Sequence, residues 1–160
     1  MSSRSKGIVA AMVAATLCTL SVAANAECVP GELKDGWLLE QETKGGHTVD
    51  RHVAKSDAWL IDRLHKEPTI PAASSFPDRV TARKVIGLAL QPDKTDLDDW
   101  ATRANGGEVA EIRMAFEQPI GRLVPRGSAS AIPAHGLRLF VMADGSGSCH
   151  LLTAYPTTHR

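Results

Sequence analysis

The sequence has few aromatic residues and no excess of charge, and both shortages limit how it can recognise a ligand. Aromatic residues make up 4% of the 160 residues, and 18 basic side chains are matched by 18 acidic ones. A chain with so few rings is a poor candidate for recognition built mainly on stacking platforms. Because there is no global positive field, any binding of a polyanion has to depend on a local basic patch.

Long apolar runs are also absent, except for one from Ile8 to Val22. Arg4 and Lys6 precede this run and a small-x-small sequence at 24–26 follows it, which is the pattern of a cleavable signal peptide. The run is too short and too rich in alanine to predict a membrane span. We therefore predict a signal peptide at residues 1–26, no stable membrane anchor, and a periplasmic or secreted protein.

Cysteine is scarce, and cleavage of the leader would make its count even. Cys18 would leave with the leader, while Cys28 and Cys149 would remain as one pair in a chain of 134 residues with net charge −2. That length suits one domain with one core. An even count in an exported protein predicts a disulfide between Cys28 and Cys149. Two free buried thiols are the alternative that the sequence leaves open.

The N-terminal half of the chain carries helical patterns. Apolar residues recur at helical spacing in four segments bounded by capping residues, glycine pairs or prolines. Trp59 and Val80 are assigned to the buried faces of the second and third helices. The stretch that holds His47 and His52 is predicted to be extended or looped. The predicted helices run from Leu33 to Thr43, from the Ser56 N-cap to Pro68, from Asp78 to Gln91 and from Asp93 to Arg103, with a polar connection from Thr69 to Pro77.

The C-terminal third carries strand patterns instead. Apolar residues alternate in Glu111–Phe116 and in Leu137–Met142, which predicts half-buried strands. Asp144–Gly147 is a turn signal, and His150–Tyr155 would return as the second strand of a hairpin. A short strand is predicted at Leu123–Val124. Helices followed by antiparallel strands predict an α+β domain.

Most sequence patterns of known catalytic chemistry are missing. His47 and His52 are five residues apart, a spacing that suits neither a helical histidine pair nor a zinc knuckle. The carboxylates of Asp96, Asp98 and Asp99 are expected to form a solvated helix face. There is no nucleophile elbow, phosphate loop or dinucleotide fingerprint. The sequence therefore predicts no metal site and no cofactor.

The histidine stretch at residues 45–57 is the richest source of candidate chemistry. His47 and His52 lie there with Arg51 and Lys55 between and after them. Histidine suits proton transfer near neutral pH, and basic neighbours favour an anionic ligand. A solvated polar turn before a helix is the alternative reading of this stretch.

Three further residues could complete a site for a phosphodiester. Arg63 follows on the next helix, and a guanidinium can bind phosphate oxygens in a bidentate manner. Thr153 and Tyr155 are two residues apart on the last predicted strand, so they are expected to share a face, together with Leu151. Each of these residues could equally be an ordinary surface or strand residue.

Several separated motifs, in this order, resemble one protein family. They are Gly-Gly-His-Thr-x-x-Arg-His-Val-x-Lys-Ser-Asp-x-x-Leu-x-x-Arg-Leu at 45–64, Ala-Ala-Ser-Ser-Phe at 72–76 and Leu-Thr-Ala-Tyr-Pro at 152–156. The chain resembles the RNase A-like C-terminal toxin domain of bacterial contact-dependent inhibition (CdiA) proteins and related polymorphic toxins. We place this domain at 35–158, after an N-terminal segment at 27–34 that the predicted disulfide would tether.

The resemblance implies a kidney-shaped α+β fold like that of pancreatic ribonuclease, without that enzyme's disulfide set. It implies metal-independent cleavage of RNA and a cognate immunity protein as partner. The expected substrate is single-stranded RNA or tRNA, because a single strand can adopt the in-line geometry of the reaction. His47 and Lys55 are then candidates for substrate binding. The family's catalytic residues fall by motif on His52, Arg63, Thr153 and Tyr155.

Two features depart from the family pattern. Family members sit at the end of very large toxins, whereas this chain carries its own predicted leader. The predicted disulfide also indicates an oxidising compartment. A non-catalytic secreted binding module that keeps the fold is the alternative hypothesis for function.

Overall fold

The computed structural model describes residues 27–158, so the predicted signal peptide at 1–26 lies outside the described residues. Within 27–158, no helix is long and apolar enough to cross a membrane. The helices are α1 (Trp37–Thr43), α2 (Thr48–His52), α3 (Asp57–Lys66), α4 (Arg79–Leu90) and α5 (Lys94–Ala101), and the strands are β1 (Ala72–Ser75), β2 (Val109–Ala115), β3 (Gly121–Pro125), β4 (Ile132–Ala134), β5 (Gly136–Ala143) and β6 (Cys149–Thr157).

The strands form two three-stranded antiparallel sheets, with the orders β1-β3-β4 and β2-β5-β6. The predicted α+β class is confirmed. The predicted short strand at Leu123–Val124 is part of β3. The order along the chain is less segregated than predicted, because β1 lies between α3 and α4.

Each sheet buries one face against helices. Leu137, Leu139 and Val141 alternate along β5 and are buried in the main core with Ile86 of α4. This is the pattern that the period-2 alternation predicted. A second apolar cluster forms where Leu60 and Leu64 of α3 meet Ala73 of β1 and Val124 of β3. The second cluster holds α3 against the β1-β3-β4 sheet.

The first helix begins at Trp37, four residues later than the predicted start at Leu33. Gly36, at its N-terminal boundary, has a left-handed φ of 90°, a conformation that glycine adopts at little cost and that interrupts a helix. Leu33 is nevertheless buried in the main core. Leu33 fits the helical spacing because it is buried, but the segment before Trp37 packs against the core without being helical.

The histidine stretch contains a short helix, so the prediction of an extended or looped stretch was wrong. α2 spans Thr48–His52. The Glu42 carboxylate accepts hydrogen bonds from the backbone N–H groups of Val49 and Asp50, at 3.0 and 3.1 Å. These bonds satisfy two donors that a helix N-terminus leaves unpaired. The capping residue, Glu42, belongs to the end of α1, so the sequence next to α2 shows no capping pattern.

The predicted polar connection from Thr69 to Pro77 contains strand β1. Residues Ala72–Ser75 pair in antiparallel register with Arg122–Pro125 of β3, and Ala73, Ser74 and Ser75 are buried. Small polar residues mark loops in sequence, but their compact side chains also fit a buried strand beneath α3.

Two residues assigned to buried helix faces are exposed. Val80 is 66% exposed on α4 and Trp59 is 36% exposed on α3. The Trp59 ring lies beside two cations, with Lys55 Nζ 5.0 Å and Arg63 Cζ 5.8 Å from its centre. A cation placed over an indole is attracted by the ring's quadrupole. Trp59 therefore packs against charged groups on the surface of α3.

The disulfide between Cys28 and Cys149 is present, and it links residues 121 positions apart. The Asp98 carboxylate accepts hydrogen bonds from the backbone N–H groups of Cys28 and Val29, at 2.9 and 3.1 Å. Lys94 pairs with the same carboxylate at 2.8 Å. Asp98 was expected on a solvated face, but it anchors the N-terminal segment beside the disulfide.

Candidate active site

A cleft of about 530 Å³ opens between α2, α3 and the two sheets. It receives side chains from elements that lie far apart in sequence, including β1, β5 and β6. Its polar lining includes the four predicted catalytic residues and two other side chains, namely His47, His52, Arg63, Arg138, Thr153 and Tyr155.

His52 is the last residue of α2, and its ring is held from β1. The side chain is 7% exposed, and Nδ1 lies 3.1 Å from the Ser74 carbonyl oxygen. A carbonyl oxygen only accepts, so Nδ1 carries a proton and donates it. The backbone of His52 is fixed as well, because its carbonyl accepts from the Phe76 N–H at 2.8 Å. In the neutral ring, Nε2 is therefore an unprotonated acceptor.

Burial keeps His52 neutral. Desolvation is the main cause that lowers its pKa, from 6.5 to about 3, and Arg63, His47 and Arg51 lower it further through their positive charges, whereas the hydrogen bond to Ser74 acts in the opposite direction. An imidazole with a lowered pKa is unprotonated at neutral pH. The ring thus presents an unprotonated nitrogen at neutral pH, and burial makes that nitrogen a weak base.

Tyr155 stacks on His52 from the neighbouring sheet. The two ring centres are 5.2 Å apart with an interplanar angle of 29°. Tyr155 pairs with Arg138 across β5 and β6, and Arg138 Cζ lies 5.9 Å from the tyrosine ring centre. The stack therefore places a phenol beside the histidine and a guanidinium beside the phenol.

Arg63 is aimed by a carboxylate one turn along α3. Its side chain is 10% exposed, and Nε and Nη2 donate to the two Glu67 carboxylate oxygens at 2.9 and 3.3 Å. Arg63 also lies 3.5 Å from the Arg51 carbonyl through Nη1. Its side-chain hydrogen bond to Glu67 is the main cause that lowers the pKa of that carboxyl. A bidentate pair of this kind fixes the plane of a guanidinium.

The Thr153 hydroxyl lies in the cleft wall without a partner. Within residues 27–158, its Oγ1 is the one buried side-chain oxygen or nitrogen that has no hydrogen bond. A buried polar atom without a partner costs free energy, and such atoms require an explanation in a native protein. Thr153 is one of the residues that line the cleft, which makes its hydroxyl a candidate donor to a bound ligand.

A bulge in β6 sets which residues accompany Thr153 and Tyr155. Thr153 pairs with Phe140 and Tyr155 with Arg138, but Leu151 pairs with Val141. Leu152 is therefore the extra residue, and it moves Leu151 to the buried face of the sheet. Thr153 and Tyr155 share a face as predicted, whereas the placement of Leu151 beside them was wrong.

His47 enters the cleft through a close approach between the end of α1 and β6. Its backbone N–H donates to the carbonyl of the bulged Leu152 at 3.0 Å. At Gly46, a Cβ would lie only 2.6 Å from the Leu151 carbonyl oxygen, so this contact requires glycine. Burial, followed by the charge of Arg51, lowers the pKa of His47.

Lys55 lies outside the lining of the cleft. Its Nζ is placed over the Trp59 ring, and its backbone N–H donates to Ser75 Oγ at 2.9 Å. Its role as a substrate-binding residue stays a prediction.

Two side chains that shape the site, Glu67 and Arg138, were not among the predicted site residues. Glu67 could have been found, because it follows Arg63 by four residues on a predicted helix and such pairs meet on one face. Arg138 could not, because its place opposite Tyr155 depends on the strand register. Within the described part of the chain, no group of three or more His, Cys, Asp or Glu side chains is placed to hold a metal ion.

The buried neutral histidine predicts acid sensitivity. Its folded-state pKa of about 3 lies below the ordinary 6.5, so between these values the unfolded chain binds a proton that the folded chain does not. The free energy of unfolding should therefore fall as pH decreases, by about 2 kcal/mol from this group between pH 7 and pH 5. Burial also lowers the pKa of His150, so His150 should contribute a further loss of stability in acid.

Urea unfolding at pH 7 and pH 5 measures this effect. His52→Asn keeps an N–H donor for the Ser74 carbonyl and removes the titration, so its loss of stability in acid should be smaller. His65→Asn is the matched control, because His65 is exposed on α3. Equal losses for the wild type and His52→Asn would contradict the prediction.

Comparison with known proteins gives a consistent assignment. Residues 46–156 match the family described as the bacterial CdiA-CT RNAse A domain. Among solved structures, the chain is similar to one in the CdiA-CT/CdiI complex from Y. kristensenii, with 33% identity, a TM-score of 0.61, and coverage of 70% of this chain and 99% of that chain. A search of curated proteins finds no significant match. The chain belongs to the bacterial CdiA-CT RNase A domain family.

Proposed function

We propose that this protein is an exported, metal-independent ribonuclease that cleaves RNA by transesterification, with His52 as general base. The observation that carries the proposal is the neutral His52 ring, whose Nε2 is left unprotonated by the bond from Nδ1 to Ser74 in the cleft that Arg63 also lines. A base and a cation that face one cleft can act together on a phosphodiester.

The first step is proton removal from a ribose. His52 Nε2 takes the proton from the 2′-hydroxyl, and O2′ attacks the adjacent phosphorus. The bond from phosphorus to O5′ breaks, which leaves a 2′,3′-cyclic phosphate and a free 5′-hydroxyl. The negative charge of the bound phosphate would raise the low basicity of His52, because an opposite charge nearby favours the protonated ring.

Arg63 stabilises the charge that develops on the phosphorane-like transition state. Its carboxylate partner Glu67 already orients it, so little reorganisation is needed at the moment of reaction. The unpartnered Thr153 hydroxyl donates to a phosphate oxygen. Tyr155, stacked on His52, donates a proton to the departing O5′.

The substrate is single-stranded RNA or an unpaired region of tRNA. In-line attack requires the 2′-oxygen, phosphorus and leaving oxygen to align, and a flexible single strand reaches that geometry more readily than an A-form duplex. The protein itself supplies the base, the cation and the hydroxyl donors, which supports cleavage without a metal or cofactor.

The decisive experiment is an RNA digestion with the oxidised protein lacking residues 1–26. We expect cleavage that persists in excess EDTA and products that end in a 2′,3′-cyclic phosphate, detected by mass spectrometry. Loss of activity in EDTA would refute metal independence. Absence of cleavage under all conditions would favour the alternative, a secreted binding module that retains the fold.

Location and partner belong to the same proposal. The disulfide between Cys28 and Cys149 supports folding in an oxidising compartment, consistent with the predicted signal peptide and a catalytic domain at 35–158. The similar chain from Y. kristensenii was solved in a CdiA-CT/CdiI complex. We propose that a cognate immunity protein likewise binds this chain.

Glu67 is expected to position Arg63. Glu67→Gln removes the charge that holds the guanidinium plane, so kcat for RNA cleavage should fall several-fold while KM changes little. Asp62→Asn is a matched control, because Asp62 forms an i,i+4 ion pair with Lys66 on the same helix, with both side chains exposed. Steady-state kinetics of the two variants test this role, and equal kcat values would contradict it.

A further inference from the structure

The β2-β5-β6 sheet has a second face that continues outward from the cleft. Across its three strands, Arg138 lies between Arg113 and Tyr155, and Phe140 lies between Glu111 and Thr153. Paired residues in an antiparallel sheet project from the same face. The face that presents Thr153 and Tyr155 to the cleft therefore also presents Phe140 and the two arginines.

Phe140 has no part in either hydrophobic core. It belongs to neither apolar cluster, and it is half-buried on a strand whose alternate residues are fully buried. Its ring centre is 6.2 Å from that of Tyr155, with an interplanar angle of 26°. Arg138 Cζ lies 5.3 Å from the Phe140 ring centre. The catalytic-site stack of His52 and Tyr155 thus extends by one more ring.

Arg113 and Arg138 share one carboxylate beside this ring. Glu111 Oε1 accepts from Arg113 Nε at 2.7 Å and from Arg138 Nε at 2.6 Å. These two side-chain hydrogen bonds, from Arg113 and then Arg138, lower the pKa of Glu111 to about 2. Two guanidinium groups against one carboxylate leave one net positive charge, held in a defined orientation next to an aromatic ring.

We propose that this face is a nucleotide-binding subsite, in which Phe140 stacks a base adjacent to the cleaved position and Arg138 binds the neighbouring phosphate. The ligand is single-stranded RNA continuing from the cleft, so the inference rests on the proposed ribonuclease function. An aromatic ring with a cation at its edge matches the alternation of base and phosphate along one strand.

The subsite offers the single ring of Phe140, so we expect it to stack one base. The low aromatic content makes the chain a poor candidate for recognition built mainly on stacking, but one phenylalanine beside the cleft can still contribute to affinity. Stacking tolerates every base because each has a π-face. The subsite should therefore increase affinity for longer strands with little sequence preference.

Binding of an uncleavable strand tests the subsite separately from catalysis. The probe is a fluorescent 2′-O-methyl tetranucleotide, which lacks the attacking hydroxyl, together with versions that carry one abasic position each. Phe140→Ala should bind the complete strand about 5- to 150-fold more weakly, the range that one base stacked on an aromatic ring supplies. Phe140→Trp keeps an aromatic ring at this position and should bind the strand with an affinity close to that of the wild type. Leu88→Ala removes a 51%-exposed apolar residue of α4 and should have no effect.

The abasic strands identify the cause of the loss. For one of the abasic strands, the wild type should bind as weakly as Phe140→Ala binds the complete strand. Phe140→Ala should bind that abasic strand no more weakly than the wild type does. An unchanged affinity of Phe140→Ala, or an equal loss on every abasic strand, would overturn the inference. If the wild type binds the strand with this pattern but does not cleave RNA, the proposed function fails and the subsite stands.

Discussion

Replacing His52 with alanine is expected to reduce the rate of RNA cleavage by about 10²- to 10⁴-fold, the usual contribution of a positioned general base. In the proposed mechanism, the alanine variant would leave the 2′-hydroxyl without an acceptor, while Arg63 and the Thr153 hydroxyl would still bind the phosphate. kcat should therefore fall much more than KM rises. Single-turnover cleavage of a labelled oligonucleotide measures the chemical step directly.

Two controls separate catalysis from folding. His52 is buried and bonded to Ser74, so His52→Ala also leaves a cavity and an unpaired carbonyl. His52→Asn keeps a donor at that position and should be equally inactive, with circular dichroism like that of the wild type. His65→Ala, at an exposed position of α3, should cleave normally. Wild-type rates for both His52 variants would refute the assignment of the base.

Loss of the disulfide is expected to have the largest effect on stability. A variant with both Cys28 and Cys149 replaced by alanine should lose about 2–5 kcal/mol of unfolding free energy, because a crosslink across so long a loop restricts the unfolded chain strongly. The bridged residues are 121 positions apart. Hydrogen bonds from the backbone of Cys28 and Val29 to Asp98 should keep the folded N-terminal segment in place. Urea denaturation of the oxidised wild type and the variant measures the difference.

Reduction supplies the matched control for this variant. The wild type in excess dithiothreitol should be as unstable as the double variant, and dithiothreitol should leave the variant unchanged. Both forms should still cleave RNA under conditions in which they are folded, because neither cysteine lines the cleft. Equal stability of the variant and the oxidised wild type would contradict the prediction.

Local sequence patterns predicted helices and strands well where the capping residue or the apolar periodicity lies within the element itself. Ser56 caps α3, as predicted, by accepting from the Trp59 N–H. Asp78, the predicted start of the third helix, is the N-cap of α4 and accepts from the Thr81 N–H. The alternation in β5 predicted its buried face. In each case the decisive interactions lie within a few residues of one another.

Local patterns failed where a distant residue supplies the stabilising contact. α2 depends on the Glu42 carboxylate, and β1 depends on pairing with β3 some fifty residues later. A short helix, or a strand made of small residues, has too weak an intrinsic secondary-structure propensity to be recognised from its own sequence. Tertiary contacts decide such segments.

The sequence alone determined the α+β class, the cysteine pair and the motifs that identify the family, because composition, periodicity and motif spacing are all written along the chain. It also named His52, Arg63, Thr153 and Tyr155, but only as residues to be brought together. The tertiary structure decided their arrangement.

That arrangement follows from contacts between residues remote in sequence. The Ser74 carbonyl selects the His52 tautomer, and the bulge at Leu152 sets the pairing of β6 with β5. This register puts Arg138 opposite Tyr155 and Phe140 opposite Thr153. Such placements depend on backbone hydrogen bonds and packing between separate elements, which no periodicity within one element can encode.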